Sequence, residues 1–184
     1  MKRPRSSAKA GLIREGVALI EKRGLASFRI DDVVEKADLA KGTFYLHFKN
    51  KSAFMIEIHR DFHDRLEAKI LDSIEGLTPG RERILRGIAT YLDGCLVEKG
   101  VKAFLLEARS EPALRKEVNL RNERFSKLMT PDFKAMDFPD SQAAAQLFTA
   151  LVAEAAFLEL QNNGEMSGLR RTLECFLPTQ SGLK

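Results

Sequence analysis

Phe54, Ile58, Phe62, Leu66, Ile70 and Ile74 recur at intervals of four residues, a spacing that the helical period of about 3.6 gathers on one face. The series predicts a single helix from Lys51 to about Ile74, roughly 35 Å long. Helical periodicity runs through the rest of the chain, with glycine and proline as punctuation. Ala10, Ile13, Val17 and Ile20 predict the buried stripe of an opening helix ended by Gly24. Gly76-Leu77-Thr78-Pro79-Gly80 stops the long helix, and Thr78 with Pro79 is expected to start the next one by a side-chain cap and a first-turn proline. Ile84, Leu85, Ile88, Leu92 and Leu96 form its core face, up to Gly100. Val101 to about Arg109 follows, then a helix opened by Ser110-Glu111-Pro112 and carrying Leu114, Val118, Phe125 and Met129. Pro131 to Pro139 reads as a loop. Ser141 to Asn162 and Met166 to Leu177, separated by Gly164, complete an all-α chain of about nine helices.

Ile30 to Lys51, IDDVVEKADLAKGTFYLHFKNK, reads as two short helices around a tight turn. Asp31 and Asp32 suit the positive end of a helix dipole, and Ile30, Val33, Val34 and Ala37 share one face, so the first helix is Ile30 to about Ala37. Asp38 and Leu39 interrupt it, and aspartate tolerates the left-handed backbone that such turns often need. From Ala40 to about Leu46 an apolar side at Phe44 and Phe48 opposes a polar side of Lys41, Thr43, Tyr45 and His47, and Gly42 permits close approach of another backbone. This is the form of a helix-turn-helix reader: lysine and tyrosine can hold phosphates, threonine can meet base edges, and a short helix fits the major groove. Tyr45 serves equally as packing, and His47 equally as a capping or packing residue.

Gly24-Leu25, Asp31-Asp32-Val33-Val34, Ala37 and above all Ala40 to Phe48, AKGTFYLHF, followed by Asn50-Lys51, resemble the amino-terminal domain of the TetR (tetracycline repressor) family over roughly residues 10 to 58. The resemblance implies an all-helical homodimer in which a three-helix DNA-binding domain, residues 1–50, joins a helical effector-binding and dimerisation domain, residues 51–184. It implies DNA contacts from Arg29, Lys41, Gly42, Thr43, Tyr45, His47 and Lys51. It also implies a palindromic operator, released when a small apolar or amphipathic effector binds. Two departures stand out. Asp38 occupies the turn where the family usually has glycine. Phe28-Arg29 replaces the threonine often found before the first reading helix, so that helix should lack a side-chain oxygen cap, with Phe28 in the core and Arg29 reaching toward phosphate.

Charge supports the assignment independently. Residues 1–60 carry thirteen Lys or Arg against seven Asp or Glu, net +6, which leaves −2 for the remainder of a chain at +4. The basic excess sits with the reading motif, as a phosphate-binding surface requires. Lys2, Arg3 and Arg5 form either an arm along the duplex or a flexible tail. With 44% hydrophobic residues the chain can bury a substantial core, and no run approaches about 20 uninterrupted apolar residues. Arg14 and Glu15 interrupt the one candidate signal-peptide core, so a soluble, cytoplasmic protein is expected. Cys95 and Cys175 are expected to pack as small apolar residues. His47, His59 and His63 have no cysteine or clustered carboxylate at structural-zinc spacing, and no cofactor is implied.

Ser141 to Asn162 is apolar around more of its circumference than one packed face needs. Read with the resemblance, Leu151, Ala155, Leu158, Leu169, Leu173 and Phe176 become the candidate dimer interface; the alternative is a helix buried within one subunit. Tyr91, Phe104, Leu105, Ala108, Phe125, Met129 and Phe148 would surround an effector cavity in a TetR-like body, and each serves equally as core. Glu107 and Arg109 are either charges awaiting a partner or an exposed pair. The favoured function is a dimeric, ligand-responsive transcriptional repressor. A helical protein-interaction module with a basic face is the alternative. An enzyme is disfavoured, because the sequence shows no Gly-rich phosphate loop and no paired nucleophile and base at motif spacing.

Overall fold

The computed structural model describes residues 5–23, 28–107 and 112–178, and among them there are helices but no strand. The described helices are α1 (Arg5–Arg23), α2 (Ile30–Lys36), α3 (Lys41–His47), α4 (Lys51–Ser73), α5 (Arg81–Val97), α6 (Lys99–Glu107), α7 (Pro112–Ala135), α8 (Ser141–Gln161) and α9 (Ser167–Cys175). Their contacts fall into two compact units, residues 1–63 with 98–118 and residues 64–97 with 119–184. Gly24, Leu25, Ala108, Arg109, Ser110, Glu111 and the basic residues Lys2 and Arg3 lie outside the described residues.

In the first unit four phenylalanine rings form the centre. Phe28 stacks on Phe54 at 5.8 Å, and Phe44, Phe48 and Phe54 meet pairwise at 4.8 to 5.2 Å in tilted and edge-on geometries, the arrangement favoured by ring quadrupoles. The buried stripe of α1 is Ala8, Leu12, Leu19 and Ile20, whereas Ala10 is exposed and Ile13 and Val17 are half-buried, contrary to the expected stripe. Gly16 explains the rotation: a β-carbon there would lie 2.5 Å from Phe54 Cζ, so the glycine is where α1 meets the aromatic cluster. A residue with no side chain contributes nothing to a hydrophobic pattern, which is why the pattern selected the wrong face. At the other end of α1, Glu21 accepts hydrogen bonds from the backbone N–H groups of Gly100 (3.2 Å) and Val101 (2.9 Å). Its carboxylate thus meets the positive end of α6, which begins before the expected Val101.

The second unit is built on the carboxy-terminal half of the four-residue series, Leu66, Ile70 and Ile74, with Ile84, Ile88, Leu92, Phe133, Phe148, Val152 and Ala156 also buried. Asp132 changes two expected boundaries. It accepts from the Gly80 N–H (2.9 Å) and from Arg83 Nε and Nη2 (2.6 and 2.8 Å). Helix α5 therefore starts at Arg81 behind Gly80 (φ 149°), not at the Thr78-Pro79 cap. The buried Asp132 and Phe133 likewise hold α7 helical through Pro131 to Ala135, where a loop was expected. Asp137 then ends α7 in the left-handed region (φ 57°), while Phe138 N–H donates to Phe133 O (3.1 Å) and their rings meet at 4.9 Å. This is a Schellman cap with its hydrophobic contact. Helix α8 starts at Asp140, whose side chain accepts from Ala143 N–H (2.9 Å). It ends at Asn163 (φ 57°) rather than at Gly164, which instead donates its N–H to Glu159 O (3.0 Å).

Glu159 is fully buried on α8 and is answered by Arg170 of α9, Nε to Oε1 at 2.7 Å and Nη2 to Oε2 at 2.9 Å, with Met166 N–H adding 3.1 Å. Arg170 also reaches Asp93 of α5 at 2.6 Å. Burial alone would raise the Glu159 pKa, but the Arg170 hydrogen bonds, the Met166 amide and the guanidinium charge outweigh it and hold the carboxyl below its ordinary range. Helix α8 is long and apolar enough by composition to cross a membrane, and 44% of its most apolar stretch is buried within the protein. Cys95 is a buried free thiol as expected, whereas Cys175 is exposed.

Candidate nucleic-acid interface

Phe44 and Phe48, 0% and 1% exposed, anchor one side of the seven-residue α3 and so turn its opposite side outward. Lys41, Gly42, Tyr45 and Leu46 are exposed there, and Thr43 and His47 are half-buried. At roughly 10 Å the helix suits a major groove. A turn fixes α2 against it. Asp38 takes the left-handed conformation (φ 53°), its N–H donates to Glu35 O (3.1 Å), and Leu39 N–H donates to Val34 O (2.9 Å), the paired bonds of a Schellman motif. Aspartate thus does the work of the absent glycine. Arg29, in the cap position of α2, makes no side-chain cap bond and is exposed, while Phe28 is buried.

The cationic residues differ in how they are held. Lys41 Nζ lies 2.6 Å from Asp31 Oδ1, with both side chains largely exposed. The hydrogen bond and charge of Asp31 hold the ammonium protonated beyond its ordinary range. Lys51 Nζ donates to Phe28 O (3.4 Å) and sits 5.3 Å from the centre of the Phe28 ring, so this lysine braces the loop before α2. Tyr45 packs edge-on against Phe44 (5.4 Å) and still leaves half its surface exposed. Gly42 opens onto empty space: a β-carbon there would meet nothing within 4 Å.

Two participants escaped sequence reasoning. Leu46 is 68% exposed, and its position could have been found, since two residues after Phe44 a helix has turned about 200°. Asp31, assigned above to the helix dipole, is also the partner of Lys41, and sequence spacing carries no signal for a pairing made across a turn.

The remaining candidates separate between the units. Tyr91, Phe125 and Met129 line a cavity of about 580 Å³, counting its open mouth, in the second unit. Phe148 instead packs on Phe133 (5.6 Å), and Leu105 is buried in the first unit. Phe104 belongs to α6, and Ala108 lies outside the described residues. Of the candidate interface residues, Leu151, Leu158 and Phe176 are exposed and Leu169 is half-buried. Ala155 and Leu173 are 2% and 3% exposed. Those two are spent on the chain's own core, where a partner cannot reach them. Leu147, 74% exposed one turn before Leu151, extends the same strip.

Comparison with known proteins places this arrangement. Residues 12–58 match the sequence model of bacterial regulatory proteins of the tetR family. The fold is similar over nearly the whole chain to a TetR-like transcriptional regulator from Rhodococcus sp. RHA1, with TM-score 0.71, 17% identity and 94% of each chain covered. The chain belongs to the TetR family. A second TetR-like fold is that of a transcriptional regulator from Saccharomonospora viridis in complex with choline, with TM-score 0.76, 20% identity, and 93% of this chain and 95% of that chain covered. The HTH-type transcriptional repressor DhaR of Mycobacterium sp. (strain GP1) is 26% identical over 99 residues, half of each protein. The chain thus spans half the length of that curated relative. The tetR match runs from Leu12 to Ile58, two residues buried in the first unit, so the matched segment contains the phenylalanine cluster and both reading helices.

Proposed function

We propose that this TetR-family regulator is a homodimeric repressor that binds a palindromic operator through α3 and leaves it when a small apolar or amphipathic effector occupies the second unit. The observation that carries the reading is the outer face of α3, where Lys41, Gly42, Tyr45 and Leu46 stand exposed on a rigid phenylalanine base. Lys41 and Arg29 meet phosphates, Gly42 lets the backbone approach, and Thr43, Tyr45 and His47 contact the groove. Lys51 acts mainly by bracing Phe28. Two such helices in a dimer must meet successive major grooves about 34 Å apart, and an effector that prefers another body conformation spoils that spacing by population shift. The exposed strip Leu147, Leu151 and Leu158, with Phe176, supplies the dimer contact.

Salt dependence tests the DNA half of this reading. Each neutralised phosphate releases counterions, so duplex affinity should fall steeply and linearly with salt on logarithmic axes, and Lys41→Ala should lower the slope by about 1. Salt-independent binding would contradict it.

A further inference from the structure

The cavity of the second unit has walls of one chemistry and charges of another. Ile70, Ile88, Tyr91, Phe125, Met129 and Val152 make it apolar, with the Tyr91 and Phe125 rings edge-on at 5.9 Å. The charged residues among its described lining are Arg83, Arg121 and Asp132, one positive charge in excess. Asp132 is committed: both its oxygens accept from Arg83, and Oδ1 also takes the Gly80 N–H. Arg121 comes from α7, is 8% exposed, and donates from Nη2 to the neutral amide of Asn122 (2.9 Å). A planar guanidinium carries several N–H donors in a fork, so it can hold a neighbouring amide and a ligand carboxylate together.

We propose that this cavity takes an amphipathic anion, an apolar body against the isoleucine and aromatic walls with its carboxylate on Arg121. The inference deepens the reading of the second unit as an effector-binding body and rests on it. A carboxylate entering apolar surroundings loses its hydration and needs a fixed positive partner to repay the loss, and the low local dielectric strengthens that partner. A cation of the same size would face two guanidinium groups and a carboxylate already engaged. A neutral amphiphile would gain the walls but not the charge-assisted hydrogen bonds.

The full-length protein titrated calorimetrically with octanoate, 1-octanol and octyltrimethylammonium holds the tail constant and varies the head. Octanoate should bind at least about tenfold more tightly than 1-octanol, and the cation most weakly. Arg121→Gln should abolish the preference while leaving 1-octanol binding unchanged, and Arg121→Lys should keep part of it. Absence of octanoate binding, equal or tighter binding of 1-octanol or the cation, or a preference that survives in Arg121→Gln would overturn the proposal. Should Arg121→Gln fail to fold, the wild-type series decides alone. Octanoate is then added to a protein–duplex complex: tight binding that leaves DNA affinity unchanged keeps the anion site and refutes the effector reading.

Discussion

Asp38 and Gly42 stand four residues apart and carry opposite constraints. Asp38 adopts φ 53° because the Schellman bonds of α2 demand a left-handed residue there. A side chain in that region costs energy that glycine does not incur, so Asp38→Gly should stabilise the fold by about 1 kcal/mol, read as a higher midpoint in thermal unfolding. An unchanged or lower midpoint would mean that the aspartate side chain offsets its own backbone cost. Gly42 has ordinary helical surroundings and open space outside it. Gly42→Ala should therefore stabilise the free protein by up to about 1 kcal/mol through helix propensity, yet weaken duplex binding because the added methyl meets the DNA backbone. Fluorescence anisotropy beside thermal melting separates the two effects, and unimpaired binding would remove Gly42 from the interface.

Among elements, the α8–α9 pair depends on one ion pair more than on its apolar surface. Glu159→Gln leaves Arg170 in place without its buried counter-charge, an error that costs about 3–5 kcal/mol, measurable by denaturant unfolding. Because the folded-state pKa of Glu159 is lowered, the carboxylate contributes stability above its unfolded value of about 4.3 and loses it as pH falls through the folded value. The variant should accordingly show a flatter loss of stability in acid than the parent. How much of this was legible beforehand follows from what periodicity can register. The four-residue series from Phe54 foretold α4 almost to the residue, and Phe44 with Phe48 foretold the inner face of α3. Glycines that admit a neighbour, such as Gly16, are silent in a hydrophobic pattern. Long-range caps are silent too, so Asp132 could extend α7 through a proline and move the start of α5 without any local sign. In the candidate site the face was legible but the pairing was not: Asp31 on Lys41 and Lys51 on Phe28 are contacts made across turns.

For the whole molecule, the account requires two copies acting together and two sites that influence each other. Leu158→Glu places a charge on the exposed strip of α8 while leaving the buried face alone, and it should shift sedimentation from dimer to monomer and weaken operator binding in step. A monomeric parent would refute the dimer. Coupling must also be reciprocal: an effector that releases DNA has to bind less tightly to the operator-bound protein, by the same factor. The most direct measurement is selection of bound duplexes from a random DNA library at near-physiological salt, with Lys41→Ala and Thr43→Ala in parallel. The account expects an enriched inverted repeat with half-sites about one helical turn apart, weakened overall by the lysine change and altered in base preference by the threonine change. A pool that stays random, or enrichment indifferent to both substitutions, would contradict it and favour a protein-interaction module with a basic face.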